Sequence, residues 1–155
     1  MSAKKVLILC YSGSGNTKKM AKVIAEALKS SAMSVTVEDA GKFDISLLPK
    51  YDGIVLGSPT YFSNVAWQVK KVIDESIVHY GGGKLKGKVA GIFTSAGTMR
   101  DGKDCLKMLQ VALGFHHGMK VVEGILRVDG ESDKEVEKRC QEYGKKILKR
   151  LKNES

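Results

Sequence analysis

The 155-residue sequence predicts an α/β protein in three layers, a five-stranded parallel sheet held between helices. Three observations carry that expectation. Val6 to Cys10 is a short unbroken apolar run, the pattern of a strand covered on both faces. From Thr17 the apolar period becomes helical through Met20, Ile24, Ala27 and Leu28, with only a tight polar loop between. The same alternation then repeats along a chain long enough for one sizeable core and too short for two ordinary domains.

Each later element follows from local chemistry. Val35 to Glu38 suits a second strand, and Phe43 to Leu48 a short helical or irregular crossover that Pro49 ends. Ile54 to Gly57 reads as a third buried strand, followed by a helix from Val65 to Val78. On that helix Trp67 falls opposite Val65, Val69, Val72 and Ile73, so it is expected to be exposed. Gly81 to Gly83 makes a flexible connection into a fourth strand, Val89 to Thr94. A helix from Asp101 to Leu113 is expected next, with Asp101 as its N-cap. Met119 to Val128 gives a fifth strand interrupted by Gly124. The last helix opens at Ser132 with Glu135 three residues on, a capping box, and carries Val136, Cys140, Tyr143, Ile147 and Leu151 on one face.

Composition narrows the class. Apolar residues make up 43% of the chain and no run reaches membrane-spanning length, which points to a soluble protein without membrane insertion. No signal peptide precedes Val6, so a cytoplasmic location is expected. Cys10, Cys105 and Cys140 are odd in number and widely spaced, which argues for reduced, core-filling thiols and against a metal or iron–sulfur site. The formal net charge of +9 raises the question of nucleic acid, yet no aromatic residues interleave with the lysines as a stacking surface requires. The basic surface suits instead an acidic redox partner or an anionic nucleotide.

The loop Ser12-Gly-Ser-Gly-Asn-Thr17 joins the first strand to the first helix and offers hydroxyls, an amide and backbone N–H groups at a helix N-terminus. That is a setting for a phosphate. Its residues exclude several ligands. The GxxxxGK[ST] spacing of a nucleoside-triphosphate loop is absent. The dinucleotide fingerprint starts with Gly13 and Gly15 but meets Lys18 where glycine permits close helix packing, although Glu38 or Asp39 could serve as its ribose acid. A phosphatase of low molecular weight would need arginine at Asn16, and a receiver domain an aspartate at Cys10-Tyr11. An ordinary flexible turn stays open beside these.

The pattern S-x-S-G-x-T from Ser12 to Thr17 resembles the phosphate loop of the flavodoxin family. Gly57-Ser-Pro-Thr-Tyr-Phe-Ser-Asn64 resembles GSPTYFGN, and Phe93-Thr-Ser-Ala-Gly-Thr98 resembles FTSTGT, both from flavodoxin-fold quinone reductases of the tryptophan-repressor-binding-protein type. The resemblance implies a flavodoxin-like three-layer α/β/α sandwich with strand order 2-1-3-4-5, one FMN-binding domain over 1–155, and FMN as cofactor. In such a sheet ligands bind beyond the carboxyl ends of the strands, where the order reverses. The expected FMN contacts are then Ser12, Gly13, Ser14, Gly15, Asn16 and Thr17 for the phosphate. Pro59, Thr60, Tyr61, Phe62, Ser63 and Asn64 are expected along the ring and ribityl chain, with Tyr61 the preferred ring partner. Ser95, Ala96, Gly97, Thr98 and Met99 are expected at the pyrimidine edge.

Two departures and one further match bear on mechanism. Ser63 stands where that family often has glycine; it stiffens the peptide that lies beside the flavin N5, which points to paired-electron chemistry. Arg100 and Lys103 add positive charge that favours a reduced, anionic flavin. His116-His117-Gly-Met119 resembles HHGM of the same enzymes, which implies that His117 assists proton transfer to a quinone. A carrier that passes electrons between partner proteins is expected first, because the chain lacks the long insertions of the reductase branch; an NAD(P)H:quinone oxidoreductase, oligomeric in that branch, is the alternative.

Overall fold

The structure, a computed structural model, describes residues 2–154; the outermost residues of the expected domain, 1 and 155, lie outside the described residues. Strand β1 (Lys5–Cys10) leads into helix α1 (Asn16–Lys29), and β2 (Ser34–Asp39) follows. A 3₁₀ turn over Ile45–Lys50 contains Pro49 rather than ending before it. The bonds at its two ends come from the Leu47 and Tyr51 N–H groups, to the Asp44 and Leu48 carbonyls, and neither calls on Pro49 to donate.

Strand β3 runs from Gly53 to Tyr61, well past the Gly57 expected as its end, and folds back on the two-residue strand β4 (Asn64–Val65). The expected second helix starts and ends two residues later and is divided into α2 (Trp67–Glu75) and α3 (Ile77–Tyr80). At the break, the Ser76 hydroxyl donates to the Ile73 carbonyl at 2.6 Å, competing with the helical ladder. Strand β5 (Val89–Ala96) precedes α4 (Met99–Gln110), which winds on as a π-helical segment over Val111–His116. Strands β6 (Lys120–Val121) and β7 (Ile125–Val128) and helix α5 (Asp133–Asn153) complete the chain. The Ser132 hydroxyl caps α5 by accepting from the Glu135 N–H, as its spacing predicts.

The main sheet is parallel and ordered β2-β1-β3-β5, with β6 and β7 pairing with opposite halves of β5. These two short pieces are the single interrupted fifth strand expected around Gly124, so the order is the expected 2-1-3-4-5. A Cβ at Gly124 would sit 2.7 Å from Ile92 Cγ1 and 3.0 Å from the Ile92 carbonyl oxygen, so only glycine lets the strand bend this close to β5.

Burial explains the three layers. Val6, Ile8 and Cys10 of β1 pack with Met20, Ile24, Tyr143 and Ile147 from α1 and α5, while Leu7 and Leu9 point the other way among Val69, Cys105 and Leu109. Alternate residues of one apolar run thus feed two cores on opposite faces of the sheet. All three cysteines are buried free thiols, as expected.

Candidate functional site

The carboxyl ends of β1, β3 and β5 release three loops that meet over the reversal in strand order. Direct bonds join them. Thr17, buried in the first turn of α1, has its Oγ1 2.9 Å from Ser95 Oγ at the end of β5, tying the first loop to the third. Thr60 Oγ1 lies 2.7 Å from Thr94 Oγ1, and the Ser63 hydroxyl donates to Asp101 Oδ1 at 2.8 Å, tying the second loop to the third. A Cβ at Gly13 would come within 2.5 Å of Tyr61 Oη, so glycine there lets the Tyr61 ring lean across the first loop without being displaced.

The first loop is built for an anion. Gly15 takes φ of 98°, a left-handed turn that glycine favours, and swings the chain into α1. Ser12 Oγ accepts from the Gly15 and Lys18 N–H groups at 3.1 and 3.2 Å, which fixes the curvature. The N–H groups of Asn16 and Thr17 open the helix and have no acceptor within it. From Ser12 to Thr17 no residue carries a negative charge, and Ser14 is exposed. This donor set, at the start of a helix and without a negative charge nearby in the loop, fits a phosphate monoester. Burial, with the nearby Asp39 carboxylate, pushes the Cys10 thiol up to about 11 against the opposing Lys18 charge. Cys10 therefore stays protonated, and the loop has no nucleophile for phosphate transfer.

The second loop is strained. Phe62 and Ser63 have φ of 51° and 64° and form the two-residue connection between β3 and β4. A hairpin of this length takes two left-handed residues, normally Asn-Gly, so non-glycine residues here hold a conformation that costs energy. Asp101 restrains it through Ser63. Hydrogen bonds from Ser63 and then Thr98 hold the Asp101 carboxyl below the usual carboxylate range. Asp101 is not the N-cap of α4: Thr98 is, its side chain accepting from the Asp101 N–H. The Thr98-x-x-Asp101 spacing carries that signal.

Exposure separates floor from rim. Ser58, Pro59, Ser95 and Ala96 are buried, and Asn64 folds its side chain back to accept from the Val65 N–H at 2.7 Å. Tyr61, Phe62, Gly97, Thr98 and Met99 face solvent, Phe62 with no packing at all at 104% relative exposure. Trp67 is exposed at 70%, as its helix position predicts.

His117 does not join this site. Its segment precedes β6, and Lys120 of β6 pairs with Val89, the first residue of β5, so His117 sits at the amino end of the parallel sheet. There its Nε2 lies 2.8 Å from Ser76 Oγ, and its ring packs edge-on against Tyr80. Eight residues of β5 separate that end from the three loops, about 25 Å at ~3.3 Å per residue. Burial, followed by His79 and His116, lowers its pKa, so it is neutral at ordinary pH. The expected proton-transfer role beside the cofactor is withdrawn: a residue entering a parallel strand stands at the opposite end from residues leaving one.

With this geometry in place, the comparisons with known proteins decide the family. Residues 7–126 match the flavodoxin domain model. The chain belongs to the flavodoxin family. It is 36% identical over 121 residues to a flavodoxin of Clostridium saccharobutylicum, covering 77% of this chain and 73% of that one. It is 34% identical over 138 residues to an NAD(P)H dehydrogenase (quinone) of Rhizobium rhizogenes, covering 76% of this chain and 69% of that one. A solved structure of a flavodoxin, WrbA-like protein from Agrobacterium tumefaciens superposes with a TM-score of 0.83 at 25% identity, over 99% of this chain and 100% of the other. As a flavodoxin-family protein the chain has FMN as its cofactor and a redox function.

Proposed function

We propose that the chain is one FMN-binding domain over 1–155 that works as an electron-transfer carrier. In this reading the hydroxyls and N–H groups from Ser12 to Thr17 hold the phosphate. Pro59 to Asn64 line one side of the ring, and Ser95 to Met99 line its polar edge. FMN, when bound, supplies the electron-accepting and electron-donating chemistry. The protein's part is placement. Thr17 and Ser95 keep the phosphate loop at a set distance from the ring loops, and Asp101 through Ser63 holds the strained backbone of the second loop against the ring.

The observation that carries the carrier reading is the shortness of the loops around the ring site. Two residues join β3 to β4 and two join β5 to α4. Loops this short leave no segment to wall a small-substrate pocket, which suits brief contact with a partner protein better. Three buried, unpaired thiols fit a reducing compartment, which supports a cytoplasmic location.

A second reading, an FMN-dependent NAD(P)H:quinone oxidoreductase, is favoured by the name of the Rhizobium rhizogenes relative. Anaerobic stopped-flow mixing of FMN-loaded protein with NADPH or NADH separates the two. The carrier reading expects the flavin to bleach only when a separate reductase is added, and rapid direct bleaching overturns it in favour of the enzyme.

A further inference from the structure

The amino end of the sheet, opposite the three loops, carries a charged and apolar face that electron transfer does not explain. Lys4 precedes and Lys5 begins β1, Lys84, Lys86 and Lys88 approach β5, and Lys120 begins β6. They form one surface. Lys120 bonds Glu154 at 2.5 Å, Lys88 donates to the Tyr51 carbonyl at 2.7 Å, Lys4 donates to the Leu151 carbonyl, and Lys86 packs beside Gly118. The acidic groups facing these lysines are Asp52, which accepts from the Lys5 N–H at 2.7 Å, and Glu154. Asp74 and Glu75 at the end of α2 are each held by a lysine one turn back on their own helix. The six lysines against Asp52 and Glu154 leave this end with a net charge of +4 in a chain whose excess is +9.

Beside the lysines stand apolar side chains that water does not favour. Ile77 and Val78 are 67% and 64% exposed, and Phe115 is 80% exposed. Tyr80 and His117, in ring contact, link this cluster through Gly118 to Lys86. We propose that this face attaches the protein peripherally to an anionic phospholipid surface.

The charge selects the occupant. Lysines attract anionic headgroups, while isolated aliphatic and aromatic side chains between them reach the boundary of the acyl region. An acidic electron-transfer partner docked here would sit about 25 Å from the three loops, by the ~3.3 Å rise of each strand residue, too far for the flavin to serve it. A two-fold contact with a second copy would set lysine against lysine. Nucleic acid has Phe115 and Tyr80 to stack on but gains nothing from Ile77 and Val78, which have no ring, whereas a bilayer takes up all four. Attached in this way, the protein turns its three loops away from the bilayer, so the inference stands apart from the choice between carrier and enzyme.

The test is sedimentation of the full FMN-loaded chain with vesicles of phosphatidylcholine alone or mixed with phosphatidylglycerol. The expected result is binding to the mixed vesicles only, released by raising salt to about 0.5 M as screening shortens. The double variant Lys84→Glu and Lys86→Glu should lower partitioning at least about tenfold. Phe115→Ser, a single exposed change, should lower it about threefold or more. Lys134→Glu with Lys138→Glu changes net charge equally at the far end of α5 and should leave partitioning within about twofold. FMN titration of each variant reports that it is folded. Absence of binding to mixed vesicles overturns the proposal, as does an equal loss in the α5 pair. Tighter retention on duplex DNA overturns it too, as does self-association that the Lys84 and Lys86 reversals dissolve.

Discussion

Thr17 Oγ1 and Ser95 Oγ lie 2.9 Å apart, joining residues 78 positions distant in sequence across the reversal in strand order. Both side chains are buried, so each is the other's partner in place of water. Thr17→Val keeps the shape and removes the hydroxyl, leaving Ser95 unsatisfied at a cost of about 1–3 kcal/mol. Urea unfolding of the FMN-free protein should show that loss, and fluorescence titration should show FMN affinity down roughly tenfold for each 1.4 kcal/mol of misplacement. Thr17→Ser should restore most of both.

The turn at Phe62 gives the opposite sign for stability. Phe62 takes φ of 51° with its ring wholly exposed, so it meets the strain of a left-handed residue without packing in return. Phe62→Gly should raise the stability of the FMN-free protein by about 1 kcal/mol, the penalty of that region for a side chain. The same change removes an aromatic ring from the rim. FMN affinity should fall roughly three- to tenfold, measured in parallel with the unfolding midpoint.

Asp101 predicts a pH dependence whose direction follows from its partners. Hydrogen bonds from Ser63 and Thr98 depress its folded pKa, so the stabilisation they give is present above the ordinary carboxylate pKa of about 3.9. It is lost as pH falls through the lower folded value. In a carbon-13 NMR titration of the carboxyl group, Ser63→Ala should move the midpoint up toward the ordinary value. An unmoved midpoint would show that Ser63 does not hold the carboxylate.

The thiols set the alkaline limit. Burial raises Cys10 to about 11 and Cys140 to about 12, against 9.0 for an ordinary thiol in each case. Raised folded pKa values mean that stability is complete below the unfolded value and falls as pH climbs from 9.0 toward 11 and 12. Thermal midpoints should therefore decline across that window. A thiol reagent at neutral pH should label the native protein only at the rate of its unfolding, and Cys10→Ala should leave that protection of the other thiols in place.

Most of the fold was legible because its signals are local and repeated. The unbroken apolar run of β1 announces a strand covered on both faces, and the Ser132–Glu135 spacing announces the start of α5. Gly124 marked the divided fifth strand, which the close approach of Ile92 explains. The loop Ser12–Thr17 could be read as an anion site because its chemistry is contiguous. What was not legible depends on geometry between segments. Nothing in Phe62-Ser63 signals a tight hairpin, since neither residue favours positive φ. Thr98 as the cap of α4 was present in the spacing but hidden behind Asp101, itself a good capping residue. The place of His117 was not legible because its motif carries no sign that a residue entering a parallel strand stands at the opposite end from the loops that leave one.

Tyr143 shows how the divided fifth strand is made whole. Its hydroxyl accepts from the Ile92 N–H at 2.8 Å and donates to the Val122 carbonyl at 2.9 Å, spanning the gap between β6 and β7. The outer margin of the sheet on that side is therefore a jointed border instead of a straight one. A neighbouring molecule finds no long row of free amide donors and acceptors to zip onto, so the kink that shapes the last strand also protects the protein against stacking with its own kind.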